Sequence, residues 1–232
     1  MMYNLSPLGD QAVVIEVDTE ISQLAKKNVK SIVACLNAAN PPWMIEYIPA
    51  YTTVTISYAV ELDSCETPYD FVCSEINQLL ANVKEVSNSH REIVRIPVLY
   101  GGEHGPDLDF VAAHNGLTTE EVITIHTSGE YTVHMIGFAP GFPFIGGMSE
   151  KIAAPRRETP RLEIPARTVG IAGMQTGVYP IASPGGWQLI GRTPIELFLP
   201  TEDPPSLLTA GDRIRFYEIT PEQYKEMRGD VE

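Results

Sequence analysis

The segment VHMIGFAPGFPFIGGM, residues 133 to 148, sets the pattern from which the architecture of the chain can be predicted. It is strongly apolar, yet it contains four glycines and two prolines. Its first four residues fit a core strand, whereas the glycines and prolines that follow turn the backbone repeatedly. We therefore expect that Phe138, Phe142 and Phe144 do not all point into the core.

The high frequency of glycine and proline continues beyond this segment. Residues 137 to 194 are a quarter of the chain but contain 10 of its 18 glycines and 8 of its 19 prolines. Short apolar pieces joined by such corners are typical of a β-barrel or sandwich. We expect this domain to span residues 99 to 232, to begin with short helices over 106 to 116 and 118 to 127, and to end in a loose tail or surface helix.

The first 98 residues predict a small α/β domain. Apolar periodicity and the residues that start and stop helices predict the order β-α-β-β-α-β, which is the split pattern of ferredoxin-like domains. The fold class is therefore α+β. The predicted elements are a strand over 11 to 17, a helix over 21 to 39, two strands within 43 to 58, a helix over 67 to 84 and a strand over 92 to 100.

The charge and composition exclude several classes of function. A net charge of −14 argues against nucleic-acid binding, which needs a positive footprint. No apolar run approaches the roughly 18 residues of a membrane helix, and the first residues lack the pattern of a signal peptide, so we expect a cytoplasmic protein without membrane association. The three cysteines and five histidines show no metal-ligand spacing, so no metal site is predicted.

A basic window stands out in this acidic chain. Residues 151 to 194 carry six basic and two acidic side chains, and the stretch from Thr168 to Gly191 has no charge at all. Arginines beside an apolar wall suit a pocket for a small anion, although the same arginines could instead pair with surface carboxylates. The candidate binding residues are Arg156, Arg161, Arg167, Gln175, Thr176 and Tyr179.

Four long motifs carry a resemblance to a known family. GFAPGFPFIGGM, APRRETPRLEIPA, VGIAGMQTGVYP and SPGGWQLIGRTP follow YGGEHGPDLDFVA in this order. The chain thereby resembles the family that includes the B subunit of bacterial 5-oxoprolinase, the kinase inhibitor KipI, and the first subunit or domain of allophanate hydrolase and urea carboxylase. The resemblance implies a small N-terminal α/β domain, a cyclophilin-like β-barrel and a partner chain of similar type.

The resemblance also implies a function. It indicates one component of an ATP-dependent 5-oxoprolinase, inactive alone, which opens the lactam of 5-oxo-L-proline together with partner subunits of the A and C types. Because the chain has no GxxxxGK[ST] motif, ATP with Mg²⁺ is expected at a subunit junction or on a partner. The alternative is a KipI-like inhibitor of a histidine kinase, and prolyl isomerisation rests on fold analogy alone.

On this view, an arginine holds the substrate carboxylate and the polar candidates orient its amide or phosphate oxygens. The residues expected to wall the ring or face a partner are Phe138, Pro140, Phe142, Phe144 and Trp187, with the PRRETPR segment as the opposite wall of a cleft. One departure concerns the loop PARTVG, where family members read PAGSVG. Arg167 and Thr168 thus replace Gly and Ser, and an arginine would strain a loop that needs glycine.

Overall fold

The computed structural model describes residues 2–59, 67–81 and 93–229 of the chain. Its contacts divide the chain into two units, Met1–His90 and Arg91–Glu232. Within these described ranges, no helix has both the length and the apolar character needed to cross a membrane.

The first unit is an antiparallel sheet with two helices. In chain order its elements are β1 (Asn4–Pro7), β2 (Ala12–Glu16), α1 (Gln23–Ala39), β3 (Met44–Pro49), β4 (Thr53–Tyr58) and α2 (Pro68–Leu80). The strand order is β1-β2-β4-β3. Because strand side chains alternate between the two faces, Val13, Ile15 and Ile56 share the face that is buried with the apolar residues of the helices.

Helix α2 begins at the Thr67 cap that its sequence signal indicates, whereas α1 begins at Gln23, two residues after its predicted start. The Ser22 hydroxyl accepts a hydrogen bond from the Ala25 N–H at 3.0 Å, and the Thr67 hydroxyl accepts one from the Asp70 N–H at 3.1 Å. Asn40 ends α1 in the left-handed conformation. Such caps satisfy terminal backbone groups, and they confirm the two predicted helices within the described residues.

The predicted ferredoxin-like order of the first 98 residues is wrong. The described order is β-β-α-β-β-α, and the segment predicted as its last strand is β5 (Val94–Tyr100), which lies in the second unit. The edge of the sheet next to β2 is taken instead by β1, because the turn at Gly9, with a φ of 64°, folds residues 4 to 7 back as a hairpin. Apolar periodicity identifies a strand but not the sheet that it joins.

The described residues of the second unit form a closed barrel of seven strands, as the Gly- and Pro-rich pattern predicts. Besides β5, the barrel strands are β6 (Tyr131–Ile136), β7 (Pro143–Gly146), β9 (Thr168–Ala172), β10 (Gln175–Val178), β12 (Gln188–Arg192) and β13 (Arg213–Glu218). Their order is β10-β7-β6-β13-β5-β12-β9, closed by pairing of β9 with β10. Strands β5 and β13 run parallel, and the other neighbours are antiparallel.

Helices and a separate ribbon complete the second unit. The helices are α3 (Leu108–Asn115), α4 (Thr119–Ser128) and α5 (Pro221–Arg228), which confirm the two predicted short helices and the predicted surface helix. The ribbon consists of β8 (Arg161–Ile164) and β11 (Ser183–Gly185), which pair with each other as a two-stranded sheet. The ribbon carries part of the basic window and therefore positions the candidate site.

Candidate functional site

An aromatic cluster joins the apolar segment to the basic window. Phe142, Tyr179 and Trp187 are buried together with Ile164, apart from the main barrel core. The Phe142 ring meets the Tyr179 ring edge-on at 5.3 Å and the Trp187 ring at 5.7 Å between centroids. Such edge-to-face contacts hold the rings in a fixed arrangement. The sequence-predicted residues Phe142, Tyr179 and Trp187 are thus brought together.

The loop between β6 and β7 presents one phenylalanine to the solvent. Phe138 has a φ of 68° and its side chain is 67% exposed, while its ring contacts the Phe142 ring at 5.4 Å. Pro140 is exposed as well, and Phe144 is half-buried. The expectation that the three phenylalanines do not all point inward is confirmed. A non-glycine residue with positive φ costs energy, so the surrounding fold must hold the Phe138 backbone in this locally unfavourable conformation.

The basic window packs directly against the segment that carries Trp187. The Arg157 N–H donates to the Gly186 carbonyl at 2.7 Å, and the Gln188 side chain donates to the Pro155 carbonyl at 2.9 Å. Tyr179 and Trp187 are both buried, with 2% and 6% of their surfaces exposed. The expected cleft between the PRRETPR segment and the phenylalanine loop stays a prediction.

A buried carboxylate, Asp107, accepts hydrogen bonds from two of the arginines. Its Oδ1 accepts hydrogen bonds from Arg161 Nη2 at 2.8 Å and from Arg157 Nη1 at 3.2 Å, while its Oδ2 accepts one from the Leu189 N–H at 2.7 Å. Asp107 immediately precedes α3. The sequence analysis missed this residue. The only signal for it is its place between a Gly-rich turn and a helix, which does not identify arginine partners 50 and 54 positions away.

Tyr179 lies within the electrostatic reach of the basic window. Burial raises the pKa of its phenol to about 12, and the positive charges of Arg156 and Arg161 act against this rise. The phenol therefore keeps its proton at neutral pH and can donate a hydrogen bond. Arg156 is exposed to solvent, and Arg161 is 24% exposed. These three candidates, together with Phe142 and Trp187, form one contiguous group, which we call the ribbon site.

Arg167 lies elsewhere, buried beneath the barrel strands that follow it. Its Nη1 donates to Glu196 Oε1 at 2.6 Å, and Arg228 donates to the same oxygen at 3.0 Å. Its φ is 68°, the left-handed region that favours glycine. This conformation agrees with the expectation that the loop PARTVG needs backbone freedom at this position. The prediction that Arg167 contacts a ligand has no support, because its side chain is held by Glu196.

Thr176 lies inside the barrel rather than at the ribbon site. Its hydroxyl donates to the Gly170 carbonyl at 3.1 Å and hydrogen-bonds His126 Nε2 at 2.9 Å, while His126 Nδ1 is 2.7 Å from the Tyr100 hydroxyl. Burial lowers the pKa of His126 to about 3, so the imidazole is neutral. The prediction that Thr176 orients substrate is wrong, because both functions of its hydroxyl are used in the core. Gln175 is half-buried at the start of β10.

The Gly-rich turn after β5 does not fit a triphosphate. The N–H groups of Gly101 and Gly105 donate to main-chain carbonyls within the unit, at 3.0 and 2.8 Å. A cavity of about 300 Å³ beside this turn is lined in part by the carboxylate of Asp109, which would repel phosphate. A phosphate-binding loop needs free N–H groups. The turn therefore remains a connection between β5 and α3, and we assign no nucleotide to it.

The fold and these motifs define the class of protein. The family model described as carboxyltransferase domain, subdomain C and D, matches residues 3–208, and the chain belongs to this family. A curated relative, the 5-oxoprolinase B subunit of Bacillus subtilis (strain 168), is 50% identical over 228 residues, which are 96% of this chain and 95% of that protein. The resemblance stated from the motifs is thereby confirmed.

Two solved structures that share the fold belong to longer chains. TTHA0988 is 33% identical with a TM-score of 0.79, and the match covers 90% of this chain but 40% of that one. Urea carboxylase of Kluyveromyces lactis is 20% identical with a TM-score of 0.75, and the match covers 98% of this chain but 23% of that one. At this identity, the second likeness shows the fold alone.

Proposed function

We propose that this chain is one component of an ATP-dependent 5-oxoprolinase, which hydrolyses 5-oxo-L-proline to L-glutamate in the cytoplasm. The observation that carries the proposal is the 50% identity to a 5-oxoprolinase B subunit over 96% of the chain. The match extends over both units, so the likeness is not confined to one domain. The relative named above gives no reason to prefer inhibition of a histidine kinase.

The substrate defines what the complex must recognise. 5-Oxo-L-proline combines a carboxylate, a compact ring and a lactam, and the lactam is a resonance-stabilised amide that hydrolyses slowly. ATP with Mg²⁺, bound at the level of the complex, supplies the driving force for opening this bond. The contribution proposed for this chain is limited to binding and orienting the substrate.

The ribbon site suits that contribution. Arg161 and Arg156 provide positive charge for the carboxylate, and the phenol of Tyr179 provides a neutral donor for an amide oxygen. Phe142 and Trp187 supply the apolar wall beneath them. Arg167 and Thr176 are left out of the proposed site, because Glu196 and His126 hold their side chains.

The proposal includes partner subunits of the A and C types, without which the chain is inactive. The relative from Bacillus subtilis (strain 168) is named as a subunit, which supports a complex with partner chains. Phe138 and Pro140, exposed beside the ribbon site, are the residues proposed to face such a partner.

The test is reconstitution from purified chains. The chain should release glutamate from 5-oxo-L-proline only in the presence of ATP, Mg²⁺ and both partner types, and omission of any chain should abolish release. Arg161→Ala should abolish turnover while the complex still assembles on a sizing column. Arg215→Ala, at an arginine paired with Glu130 away from the ribbon, is the matched control and should retain turnover.

Two outcomes would contradict the proposal. Absence of glutamate release with all chains present and assembled would rule out the activity. Unchanged turnover of Arg161→Ala would remove this arginine from the substrate site but leave the activity standing.

A further inference from the structure

Two buried donors on the ribbon have no hydrogen-bond partner among the described residues. They are Arg161 Nη1 and Ser183 Oγ. Arg161 on β8 pairs with Gly185 on β11, and Ser183 pairs with Ile164, so the two residues lie on neighbouring strands of one small sheet. An unpaired buried polar group destabilises the folded state. Two of them on a single ribbon therefore require an explanation.

Asp107 explains why the arginine nitrogen is left over. A carboxylate usually receives both terminal nitrogens of an arginine in a two-bond fork. Here Oδ2 of Asp107 accepts the Leu189 N–H, and Oδ1 is shared between Arg157 and Arg161. In this arrangement Arg161 contacts Asp107 through Nη2 alone. The guanidinium is fixed at one end while Nη1 remains available to another acceptor.

The charges around the ribbon favour an anion as that acceptor. Arg157 and Arg161 both bind Asp107, and Arg156 lies near enough for its charge to act on Tyr179, as does that of Arg161. Of the carboxylates near these arginines, Asp107 is buried, whereas Glu158 and Glu163 of the same segment are exposed to solvent. An added carboxylate would pair with the part of the Arg161 guanidinium that Asp107 does not contact.

We propose that Arg161 Nη1 and Ser183 Oγ bind the carboxylate of a small ligand, and that Asp107 is the positioning residue that directs Arg161 toward it. The inference rests on the proposed function, in which this carboxylate is that of 5-oxo-L-proline. Two donors match the two oxygens of a carboxylate, whereas a phosphate would bury a third oxygen without a donor.

The ribbon permits a ligand to reach these atoms. In the described residues β8 and β11 pair only with each other, and a sheet of two strands shifts more readily than the closed barrel. Neither residue is fully enclosed, because the Arg161 side chain is 24% exposed and Ser183 is half-buried. A ligand can therefore approach from the solvent side of these two residues.

Calorimetry on the full chain tests binding directly. The probes are 5-oxo-L-proline, 2-pyrrolidone, which has the same lactam without the carboxylate, and inorganic phosphate. We expect binding of 5-oxo-L-proline, and no binding of 2-pyrrolidone or phosphate at the same concentrations. Equal binding of 5-oxo-L-proline and 2-pyrrolidone would overturn the inference, and so would a preference for phosphate, which would replace the carboxylate with a different anion.

Variants separate a binding role from a structural one. Ser183→Ala and Arg161→Lys should each weaken 5-oxo-L-proline binding about tenfold or more, the loss of a hydrogen bond to a charged group. Ser128→Ala and Arg215→Lys, at exposed positions elsewhere in the unit, are the matched controls and should bind as the parent chain does. If Ser183→Ala leaves the affinity unchanged, Ser183 is not part of a site.

The role of Asp107 is tested by a double-variant cycle. Asp107→Asn should weaken binding in the parent chain but should have little further effect in the Arg161→Lys background, because Asp107 acts through Arg161. In the reconstituted enzyme, Asp107→Asn should raise KM more than it lowers kcat. Additive losses in binding would show that Asp107 merely supports the fold, and would overturn its positioning role.

These measurements distinguish a failure of the proposed site from a failure of the proposed function. Carboxylate binding that depends on Ser183 and Arg161, without glutamate release in the assembled enzyme, would retain the site and reject the activity. Turnover with a KM that none of the three variants changes would retain the activity and reject the site.

Discussion

The barrel interior and the ribbon both bury polar side chains, but only the interior satisfies them. His126 lies between the hydroxyls of Tyr100 and Thr176, and Thr176 in turn donates to the Gly170 carbonyl. These contacts are consistent with one proton arrangement, in which Nε2 carries the hydrogen and Nδ1 accepts one. At the ribbon, Arg161 and Ser183 each retain an atom without a partner among the described residues. Arg167 Nε also lacks a partner among the described residues, but the ribbon differs in carrying two such atoms on its paired strands.

The largest expected effect is at Asp107, where the ribbon joins the rest of the second unit. Asp107→Ala should lower the free energy of unfolding by about 3 kcal/mol or more, because it leaves two arginines and the Leu189 N–H without their shared acceptor. The free energy of unfolding is measured by chemical denaturation, with tryptophan fluorescence as the signal. Asp109→Ala, exposed in the helix that follows Asp107, is the control and should change stability by less than about 0.5 kcal/mol.

Thr176→Val breaks the complete network without changing side-chain size. It leaves the His126 Nε2–H without an acceptor and removes the bond to the Gly170 carbonyl, and it should cost about 1–3 kcal/mol of unfolding free energy. Ser183→Ala is the counterpart at the ribbon and should be neutral or slightly stabilising, since it removes a hydroxyl that has no partner among the described residues. Equal losses for the two variants would contradict the distinction between the regions.

The neutral His126 should make stability depend on pH. Burial lowers its folded-state pKa to about 3, whereas the unfolded chain binds the proton near the ordinary pKa of about 6.5. Stability from this group should therefore fall as pH decreases from about 6.5 toward 3, by up to about 1.4 kcal/mol per pH unit. Denaturation of the parent chain and His126→Gln at several pH values measures this slope.

In that series, His126→Gln should show the shallower slope. His114→Gln, at an exposed helix position, should keep the slope of the parent chain. Parallel curves for the parent chain and His126→Gln would mean that the imidazole is not kept neutral by the fold.

The smallest effect concerns the second arginine–carboxylate pair. At Arg167, Gly and Ala both remove the bond to Glu196, but only Gly relieves the positive φ of 68°. Arg167→Gly should therefore be more stable than Arg167→Ala by about 1 kcal/mol, the cost of a left-handed residue with a Cβ. Thermal unfolding of the two variants measures the difference. A more stable alanine variant would indicate that the loop does not need the left-handed conformation.

Local signals in the sequence predicted much of the fold. Ser22 and Thr67 mark helix starts by their hydroxyl caps, and the Gly- and Pro-rich texture predicts the barrel. The outward position of Phe138 follows from the turn residues around it. These features depend on neighbours within a few positions, which is why periodicity and punctuation are sufficient for them.

Contacts between distant segments were not predictable in this way. The pattern of residues 94 to 100 predicts a strand, but no nearby residue indicates that this strand joins the barrel. Arg156, Arg161 and Tyr179 were identified by composition, whereas Asp107 is 54 positions from Arg161. Arg167 has the same chemistry as Arg161, and only the path of the chain turns one toward Glu196 and the other toward Asp107.

The parallel pairing of β5 with β13 also constrains how the chain folds during synthesis. Ile214 pairs with Val94, and β13 lies between β5 and β6 in the barrel. The barrel cannot close until its last strand has left the ribosome. The described strands of the first unit pair only with one another, so that unit can fold while the rest is translated, and β5 must wait with an unpaired edge. The second unit is therefore the part of the nascent chain with the longest exposure to aggregation.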